Sequence, residues 1–588
     1  MGRMALAGGP PAPRVLRDYA FLGDGERGAL LGPHGDLVWL CVPRWDSDAV
    51  ISPLIGGAGE YHLSPADPWH IWGGHYEDGT LIRVTRWITM DSVTECRDAL
   101  AMPADPDRAV LLRRVRAVSG TAHLRLLLDV RPRFGHDAMV DLRWQGTCWS
   151  ARGGGLHLRF TAAGARPAPG GGLRGTLTVP EGEERDIVLE IGTREGTDAL
   201  DADRLWRSTE AEWRRSVPDC SSLAAPRDTR HAYAVLRGLT STAGGMAAAA
   251  TTSLPERANV NRNYDYRFAW IRDQCYAGLA VAAHGPHPLL DQAVRFITER
   301  VLEDGPKLRP AYTVTGDRVA PERPLSFLAG FPGGSNRVGN RAAQQFQLDT
   351  FGEVLQLYAA AARHDRLDTD ARRAADVTVE AVAGNWTRRD AGLWELDERW
   401  WAHSRLSVVT GLRQLADALP GSAARRWTEL ADRILSETAR RCLHPNGHWC
   451  RAEDDEGLDA GLLLPLARGC VPANDPSALR TRAIVADQLS REGYLYRFRH
   501  GEQPFHEAES AFVLCGFMMT LAAQRQGDEI GAFRWFERTR SACGPPGLFA
   551  EEFDISQRQL RGNLPQAFVH ALLLECSVRL SDSGASQF

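Results

Sequence analysis

The chain has 588 residues, with 44% hydrophobic residues, 24% charged residues and a formal net charge of −5. It is longer than one ordinary domain of ~100–200 residues, and its composition is typical of a globular protein. The acidic balance gives no reason to expect a nucleic acid or an anionic membrane as partner. No apolar run approaches the ~20 residues of a membrane span.

The N-terminal segment MGRMALAGGPPAPR lacks the continuous apolar core of a secretory signal, so we expect a cytoplasmic protein. Eleven scattered cysteines fit that expectation as reduced thiols. In CLHPNGHWC, the residues Cys442, His444, His448 and Cys450 could bind zinc. A turn with packed thiols explains the segment equally simply, and the spacing is not repeated, so we expect no metal site.

Short alternation of apolar and polar residues runs from about residue 18 to residue 197. Examples are AHLRLLLDV (residues 122–130), LHLRF (156–160), GTLTV (175–179) and RDIVLEIG (185–192). Glycine, proline and aspartate interrupt these segments at short intervals, which is typical of antiparallel strands. The pattern predicts a β-sandwich domain over residues 1–197.

The period becomes helical after this point. The segment TDALDADRLWRSTEAEWRRSV predicts a linker helix within residues 198–226, with Thr197 as its N-cap. Residues 227–588 contain many helix-length apolar segments separated by loops. We therefore expect an all-α domain of roughly ten or more helices, with functional residues in the loops between them.

Three segments of this second domain combine aromatic residues with carboxylates. They are NYDYRFAWIRDQ (residues 263–274), GLWELDE with Trp394 and Glu395, and GLFAEEFD with Glu551 and Glu552. Aromatic rings stack on pyranose faces, and paired acids carry the proton transfers of glycoside cleavage. A lone Trp-Glu pair is more often a core ring beside a solvated acid. Three such segments together predict a sugar-cleaving pocket.

The chain resembles glycoside hydrolase family 15, the group of glucoamylases, bacterial trehalases and glucodextranases. The resemblance spans nearly the whole chain. In the family's order it comprises DYAFLGDGERGALLGPHGDLVWLCVPRWDS (residues 18–47), AAATTSLPE (248–256), NYDYRFAWIRD, VGNRAAQQFQLDTFGE (338–353), LDAGLLLP (458–465), AESAFVLCGF (508–517) and GNLPQAFVH (562–570). It implies a multidomain β and all-α protein, with a β-super-sandwich followed by an (α/α)6 barrel that carries the pocket at its mouth.

The same resemblance implies roles for individual residues. Glu395 is similar in position to the general acid, and Glu551, in preference to its neighbour Glu552, to the general base. The implied substrate-binding residues are Tyr266, Trp270, Arg272, Asp273, Trp394 and Arg497. An inverting mechanism needs a protonated acid and an ionised base. We expect Trp394 to raise the pKa of Glu395 by desolvation, and Glu551 to lie in a wetter setting.

The segment after the general acid departs from the family. It reads WWAHSRLSVVTGLRQL, where bacterial relatives carry a Tyr-Ser-Lys block followed by a Trp and an Asp-Arg. The serine is Ser404, and Arg405 stands at the lysine position. Trp400 and Trp401 are candidates for a new stacking surface beside the leaving group, or for packing of the loop. The sequence does not favour either interpretation.

These features predict an exo-acting inverting hydrolase that releases β-glucose from trehalose, isomaltose or a maltooligosaccharide. The chemistry requires no cofactor, and the only expected partner is a small oligosaccharide or glycoside, although a homo-oligomer is compatible with the sequence. Two alternatives stay open. One is a related enzyme that acts on a glycosylated natural product, and the other is a sugar-binding protein without activity.

Overall fold

The structure is a computed structural model that describes residues 13–162, 164–257, 262–501 and 503–585. The predicted absence of a signal sequence concerns mainly residues 1–12, which lie outside these ranges. Across the described parts of the chain, we find no helix with the length and apolar character needed to span a membrane.

The first part of the chain forms strands in two sheets. The strands are β1 (Ala20–Gly23), β2 (Gly28–Leu31), β3 (Asp36–Cys41), β4 (Ala49–Ile51), β5 (Glu60–Pro65), β6 (Ile71–Tyr76), β7 (Arg83–Ile88), β8 (Val93–Leu100), β9 (Arg108–Ser119), β10 (Ala122–Asp129), β11 (Val140–Trp144), β12 (Trp149–Gly153), β13 (Leu156–Thr161), β14 (Arg166–Pro167), β15 (Leu173–Val179) and β16 (Glu184–Gly192). In the first sheet the strand order is β1-β2-β3-β5-β10-β15-β14, and β4 pairs with β3. In the second sheet the strand order is β11-β12-β13-β16-β9-β8-β7-β6. The pairings are antiparallel.

Alternation within the strands explains the two layers. In β10, Ala122, Leu124, Leu126 and Leu128 are buried, while the residues between them are exposed or half-buried. The buried side chains of both sheets join in one apolar cluster, because successive residues of a strand point to opposite faces. The predicted β-sandwich is confirmed.

Helices dominate the rest of the chain. They are α1 (Ala202–Ser216), α2 (Pro226–Leu239), α3 (Ile271–His284), α4 (Pro288–Asp304), α5 (Leu348–Arg363), α6 (Thr369–Asn385), α7 (Ala402–Ala418), α8 (Ser422–Cys442), α9 (Leu463–Ala467), α10 (Pro476–Gln488), α11 (Phe505–Ala508), α12 (Val513–Arg525), α13 (Glu529–Arg540) and α14 (Ala567–Ala585). Short strands lie in the loops: β17 (Ala269–Trp270), β18 (Ala311–Tyr312), β19 (Arg323–Pro324), β20 (Arg337–Val338), β21 (Ser490–Arg491), β22 (Tyr494–Leu495), β23 (Ala511–Phe512), β24 (Glu552–Asp554) and β25 (Gln559–Arg561).

The helices pack as two concentric rings. Helices α3, α5, α7, α9, α12 and α14 contact one another in that order, and α14 returns to α3 and closes the ring. Helices α2, α4, α6, α8, α10 and α13 pack around them. Inner α5 is buried along residues 348–361, whereas outer α8 buries one stripe of its surface. The predicted (α/α)6 barrel is confirmed.

The linker helix begins later than the sequence predicted. Helix α1 starts at Ala202, and the Asp201 side chain accepts a hydrogen bond from the Arg204 backbone N–H at 3.0 Å. The expectation that Thr197 caps this helix is therefore wrong. Aspartate at residue 201 is an equally good N-cap, and it directly precedes the amphipathic stretch.

A buried arginine joins the β-sandwich to the loop that precedes α3. Arg267 donates to the backbone carbonyls of Ser47 (2.7 Å) and Trp45 (3.1 Å), which belong to the sandwich domain. Its Nε and Nη2 atoms each lie 2.8 Å from an oxygen of Asp265, which also accepts from the Gly339 N–H. Burial makes this ion pair sensitive to the loss of either partner.

We expect Arg267→Met to lower the free energy of unfolding by about 3–5 kcal/mol, because Asp265 would remain buried without its cation. Urea unfolding followed by circular dichroism measures the change. The matched control is Arg323→Met, since Arg323 pairs with Asp48 across the same two domains at an exposed position. That variant is expected to lose less than about 1 kcal/mol. Equal effects in the two variants would contradict the assignment of Arg267.

Candidate active site

The inner helices all begin at the same end of the barrel, and a pocket lies there. Arg272 and Asp273 belong to the first turn of α3, Phe512 precedes α12, and Gln566 precedes α14. The N-terminus of a helix carries a partial positive charge, which favours carboxylates at this end. The fold therefore collects the loop residues around one apolar and acidic cavity.

The cavity has two adjoining parts. The inner pocket has an empty volume of about 430 Å³ and the outer pocket about 680 Å³. Both are lined by Tyr266, Trp394, Glu395 and Arg497. The inner pocket adds Ala248, Trp270, Arg272, Asp273, Leu393, Phe512, Glu551, Gln566 and Phe568. The outer pocket adds Glu256, Arg262, Tyr264, Asn340, Arg341, Ala342, Gln345, Leu396 and Phe498.

Glu395 lies where the two pockets meet, and one of its oxygens is held by donors. Its Oε1 accepts from the Trp270 indole N–H at 2.7 Å, from Arg272 Nη2 at 3.4 Å and from Gln347 Nε2 at 3.5 Å. These donors leave Oε2 for the pocket. The φ angle of Glu395 is +57°, which is uncommon for a residue with a Cβ and recurs at functional positions.

A buried aspartate supports the loop that carries Glu395. Asp390 accepts hydrogen bonds from Ser404 Oγ (2.8 Å) and from the backbone N–H groups of Gly392 (3.1 Å) and Leu348 (3.2 Å). Arg405 Nη1 forms an ion pair with Asp390, and both side chains are fully buried. Arg405 thus fixes the loop between α6 and α7, and it does not reach the pocket.

Glu551 lies on the other side of an aromatic pair. The Tyr266 hydroxyl donates to Glu551 Oε1 at 3.3 Å, and the rings of Tyr266 and Trp270 meet edge to face at 5.4 Å. Burial, and then the charge of Glu256, raise the pKa of Glu551 well above its usual value. The expected environments were therefore wrong: Glu551 is the more buried of the two carboxyls, and Glu395 is partly exposed.

Arg272 and Asp273 form the floor of the inner pocket. Arg272 Nη1 donates to Gln347 Oε1 at 2.8 Å and pairs with Asp349 at 3.4 Å, so its charge is neutralised on the side away from the pocket. Burial raises the pKa of Asp273 to about 7, against the lowering effect of Arg272. The sequence predicted both residues for this pocket, and the structure brings them to it.

Trp394 and Arg497 form the wall shared by the two pockets. The Trp394 indole N–H donates to Asp459 at 2.9 Å, and the Arg497 guanidinium lies 5.5 Å from the Trp394 ring centroid and 4.7 Å from that of Phe512. This cation–aromatic packing orients the ring. Both residues therefore lie where the sequence predicted substrate contacts.

Trp400 and Trp401 lie outside the pockets, so their prediction as substrate-binding residues is not supported. They are 3% and 6% exposed. The Trp400 ring has the guanidinium groups of Arg405 and Arg441 at 4.5 and 4.9 Å, and Arg451 lies 5.0 Å from the Trp401 ring. Of the two interpretations that the sequence left open, these contacts favour packing of the loop.

Several pocket residues were not predicted. Glu256 contacts the outer pocket from the segment AAATTSLPE, and Gln345 and Gln347 flank Glu395 from the segment QQFQ before α5. A single glutamate or glutamine outside a Trp-Glu or Glu-Glu pair carries no recognisable signal. Only the family blocks that contain them indicated this part of the chain.

The segment CLHPNGHWC forms a tight structure at the end of α8. Cys442 and Cys450 are buried, and the rings of His444 and His448 stack with centroids 4.4 Å apart. Within the described ranges, no three His, Cys, Asp or Glu side chains are grouped to hold a metal ion.

Comparison with known proteins places the chain in a family. The family described as glycosyl hydrolases family 15 matches residues 230–578, and a trehalase-like N-terminal domain matches residues 3–215. The chain belongs to glycosyl hydrolase family 15. It is a glycoside hydrolase, and the pocket at the N-terminal ends of the inner helices is its candidate active site.

Two curated relatives span almost the whole chain. A trehalase of Mycobacterium tuberculosis is 30% identical over 98% of this chain and 92% of its own length. A trehalase of Mycolicibacterium smegmatis is 30% identical over 97% of this chain and 92% of its own length. Among solved structures, a bacterial glucoamylase complexed with acarbose is 13% identical to this chain in sequence and superimposes with a TM-score of 0.68. The aligned region covers 98% of this chain and 96% of the glucoamylase chain. That likeness confirms the fold.

We expect Trp394→Leu to raise KM for glycoside hydrolysis by roughly 3- to 30-fold, because one aromatic face of the pocket is worth about 1–2 kcal/mol. The matched control is Trp400→Leu, which removes a ring outside the pocket. It is expected to lower the thermal midpoint and to leave KM unchanged. Initial-rate kinetics and thermal scans measure both effects. A raised KM in Trp400→Leu would contradict the placement of that ring.

Proposed function

We propose that this glycoside hydrolase is an inverting, exo-acting α-glucosidase whose substrate is trehalose. Glu395 is the general acid and Glu551 the general base. The observation that carries the proposal is the arrangement of these carboxyls at the inner pocket, where Trp270 donates to one and Tyr266 to the other.

The aromatic pair of Tyr266 and Trp270 holds the two carboxyls at separate places in the pocket. Inversion requires that acid and base stand about 6.5–9.5 Å apart, with the sugar and a water between them. Glu395 and Glu551 are bound to different rings of a pair whose centroids are 5.4 Å apart. This placement is consistent with a glucosyl ring that lies against both carboxyls.

Glu395 is suited to protonate the departing oxygen. Because Trp270, Arg272 and Gln347 all donate to Oε1, the proton of the neutral acid resides on Oε2. Oε2 then donates to the glycosidic oxygen as the bond to C1 breaks. The same donors stabilise the carboxylate that remains, which supports the transfer electrostatically.

Glu551 takes a proton from the attacking water. The water adds to C1 on the face opposite the leaving group, so an α-glucoside gives β-glucose. Asp273 and Arg272 lie in the inner pocket, where they can accept from and donate to glucosyl hydroxyls.

The outer pocket supports a sugar as the leaving group. Its lining is largely polar and includes Arg262, Asn340, Arg341 and Gln345, which are hydrogen-bonding groups for a second pyranose. The relatives named trehalase span the same two domains. The buried positions of Trp400 and Trp401 remove the apolar surface that would have favoured a natural-product aglycone.

The test is hydrolysis of trehalose, isomaltose and maltose, followed by proton NMR of the first product. We expect β-glucose from trehalose with the largest kcat/KM. Glu395→Gln and Glu551→Gln should each lower kcat by roughly 10²–10⁴-fold, since each removes one proton transfer. Glu398→Gln is the control, because Glu398 is exposed on the same loop as Glu395.

Three results would contradict the proposal. Release of α-glucose would exclude inversion. Preference for isomaltose or maltose would replace trehalose as substrate while leaving the mechanism intact. Full activity in Glu551→Gln would show that another carboxyl is the base.

A further inference from the structure

Four buried glutamates surround one arginine at the wall between the two pockets. Glu256, Glu509, Glu551 and Glu552 are 5%, 1%, 6% and 0% exposed, and all four act electrostatically on Arg497. They come from separate loops, except for the adjacent Glu551 and Glu552. Buried charges require partners, so the distribution of positive charge decides which of these acids are ionised.

Glu509 is the main ion-pair partner of Arg497. Its Nη2 and Nε atoms lie 2.7 and 3.0 Å from Glu509 Oε2, and its backbone N–H donates to Oε1 at 3.2 Å. His500 Nε2 lies 3.1 Å from the same carboxyl. Although burial acts in the opposite direction, Arg497 and His500 lower the pKa of Glu509 to about 2. Glu509 therefore carries the negative charge that balances Arg497.

The other three carboxyls share little positive charge. Arg497 Nη2 is 3.8 Å from Glu552 Oε1, and the backbone N–H of Ser510 donates to Oε2 of the same residue at 3.1 Å. Burial is the largest cause that raises the pKa of Glu256, Glu551 and Glu552. They cannot all be ionised together, so protons remain in the cluster at neutral pH.

Glu256 and Glu551 lie side by side. The Tyr266 hydroxyl is 3.5 Å from Glu256 Oε1 and 3.3 Å from Glu551 Oε1, so the two carboxyls share this donor. Gly562 packs on the pair: a Cβ there would lie 3.4 Å from Glu551 Cβ and 3.6 Å from Glu256 Cγ. Because an ionised carboxylate is only an acceptor, a hydrogen bond between two carboxyls needs a proton on one of them.

We propose that Glu256 is a positioning residue that shares one proton with Glu551 and holds it while Glu551 works as the base. This inference rests on the proposed role of Glu551. A protonated Glu256 donates a hydrogen bond to the Glu551 carboxylate and adds no charge beside it. Glu551 can then be ionised in a site that already contains ionised Glu509.

The proton balance of the reaction follows. As the oxygen of water bonds to C1, the C1–O bond to the leaving group breaks and that oxygen takes the proton of Glu395. One proton of the water passes to Glu551, so the pair then holds two protons and Glu395 holds none. The pair releases one proton to solvent and Glu395 takes one up, which restores the starting state with one water consumed.

The titration of this pair gives a test through the pH profile. The charged and titratable groups that face the pair are Arg262, Tyr264, Tyr266, Arg497, Glu509 and Glu552. Glu551 is active as a base above its pKa, and Glu256 is neutral in that state and stabilises the Glu551 carboxylate by donating to it. A neutral donor at residue 256 should therefore leave the acidic limb of activity in place, whereas loss of the donor should move that limb to higher pH.

We expect Glu256→Gln to keep kcat at neutral pH within about tenfold of the parent, because its amide donates to Glu551 as a protonated glutamate does. The acidic limb of kcat/KM should stay in place, because residue 256 is a neutral donor in both proteins. Glu256→Ala lacks the donor, so it should lose roughly 10- to 100-fold in kcat and its acidic limb should move up by about one pH unit. The exposed Glu398→Gln is the control and should leave the limb in place.

The outcomes separate this inference from the proposed function. An acidic limb that moves down in Glu256→Gln would show that Glu256 is ionised beside Glu551 and would overturn the inference, and so would equal losses in the Gln and Ala variants at unchanged thermal stability. Full activity in Glu551→Gln would overturn the base assignment itself. Should Glu256→Gln fail to fold, the pH profile of Glu256→Ala decides: an acidic limb moved to higher pH is expected, and an unmoved limb overturns the proposal.

Discussion

The closed ring of six inner helices, which all begin at one end of the barrel, is the constraint on which the active site depends. The loops that enter four of the inner helices line the same pocket, with Trp270 before α3, Glu395 before α7, Phe512 before α12 and Gln566 before α14, and Gln347 before α5 donates to Glu395 there. Neighbours in this pocket are remote in sequence. Their convergence follows from helix packing, and the helix N-termini add a field that favours carboxylates there.

That convergence creates a charge problem, which the protein handles in two different ways. Asp390 is surrounded by donors, from Arg405, Ser404 and two backbone N–H groups, and it works as a rigid support for the Glu395 loop. The glutamates around Arg497 outnumber their cations. A buried acid that is paired with a cation and hydrogen-bond donors stays in one protonation state. Buried acids with too few cations hold protons that they can exchange, and general base catalysis requires such exchange.

Much of this molecule could be predicted from its sequence, and the failures have physical causes. Strand alternation and helical periodicity report which faces are buried, so the two domains followed from local pattern. Residues such as Glu395 and Asp273 were placed by their resemblance to positions of the family. Thr197 was wrong as a cap because several N-capping residues lie close together before α1. Glu256 was missed because its role depends on neighbours that only the fold brings near it.

The segment after Glu395 shows how the structure can decide between two interpretations of a departure from the family pattern. Two tryptophans beside the loop of Glu395 were compatible with a new substrate surface or with packing of the loop, and Arg405 accounts for both of them. Its guanidinium binds Asp390, donates to the carbonyls of Trp386, Arg388 and Trp401, and lies against the Trp400 ring. A lysine has three donors on one nitrogen and cannot span these acceptors, whereas the planar fork of arginine can. The aromatic residues thus complete the environment of a buried arginine. In the proposed reaction, the leaving group instead meets the polar residues of the outer pocket, on the segments before α3 and α5.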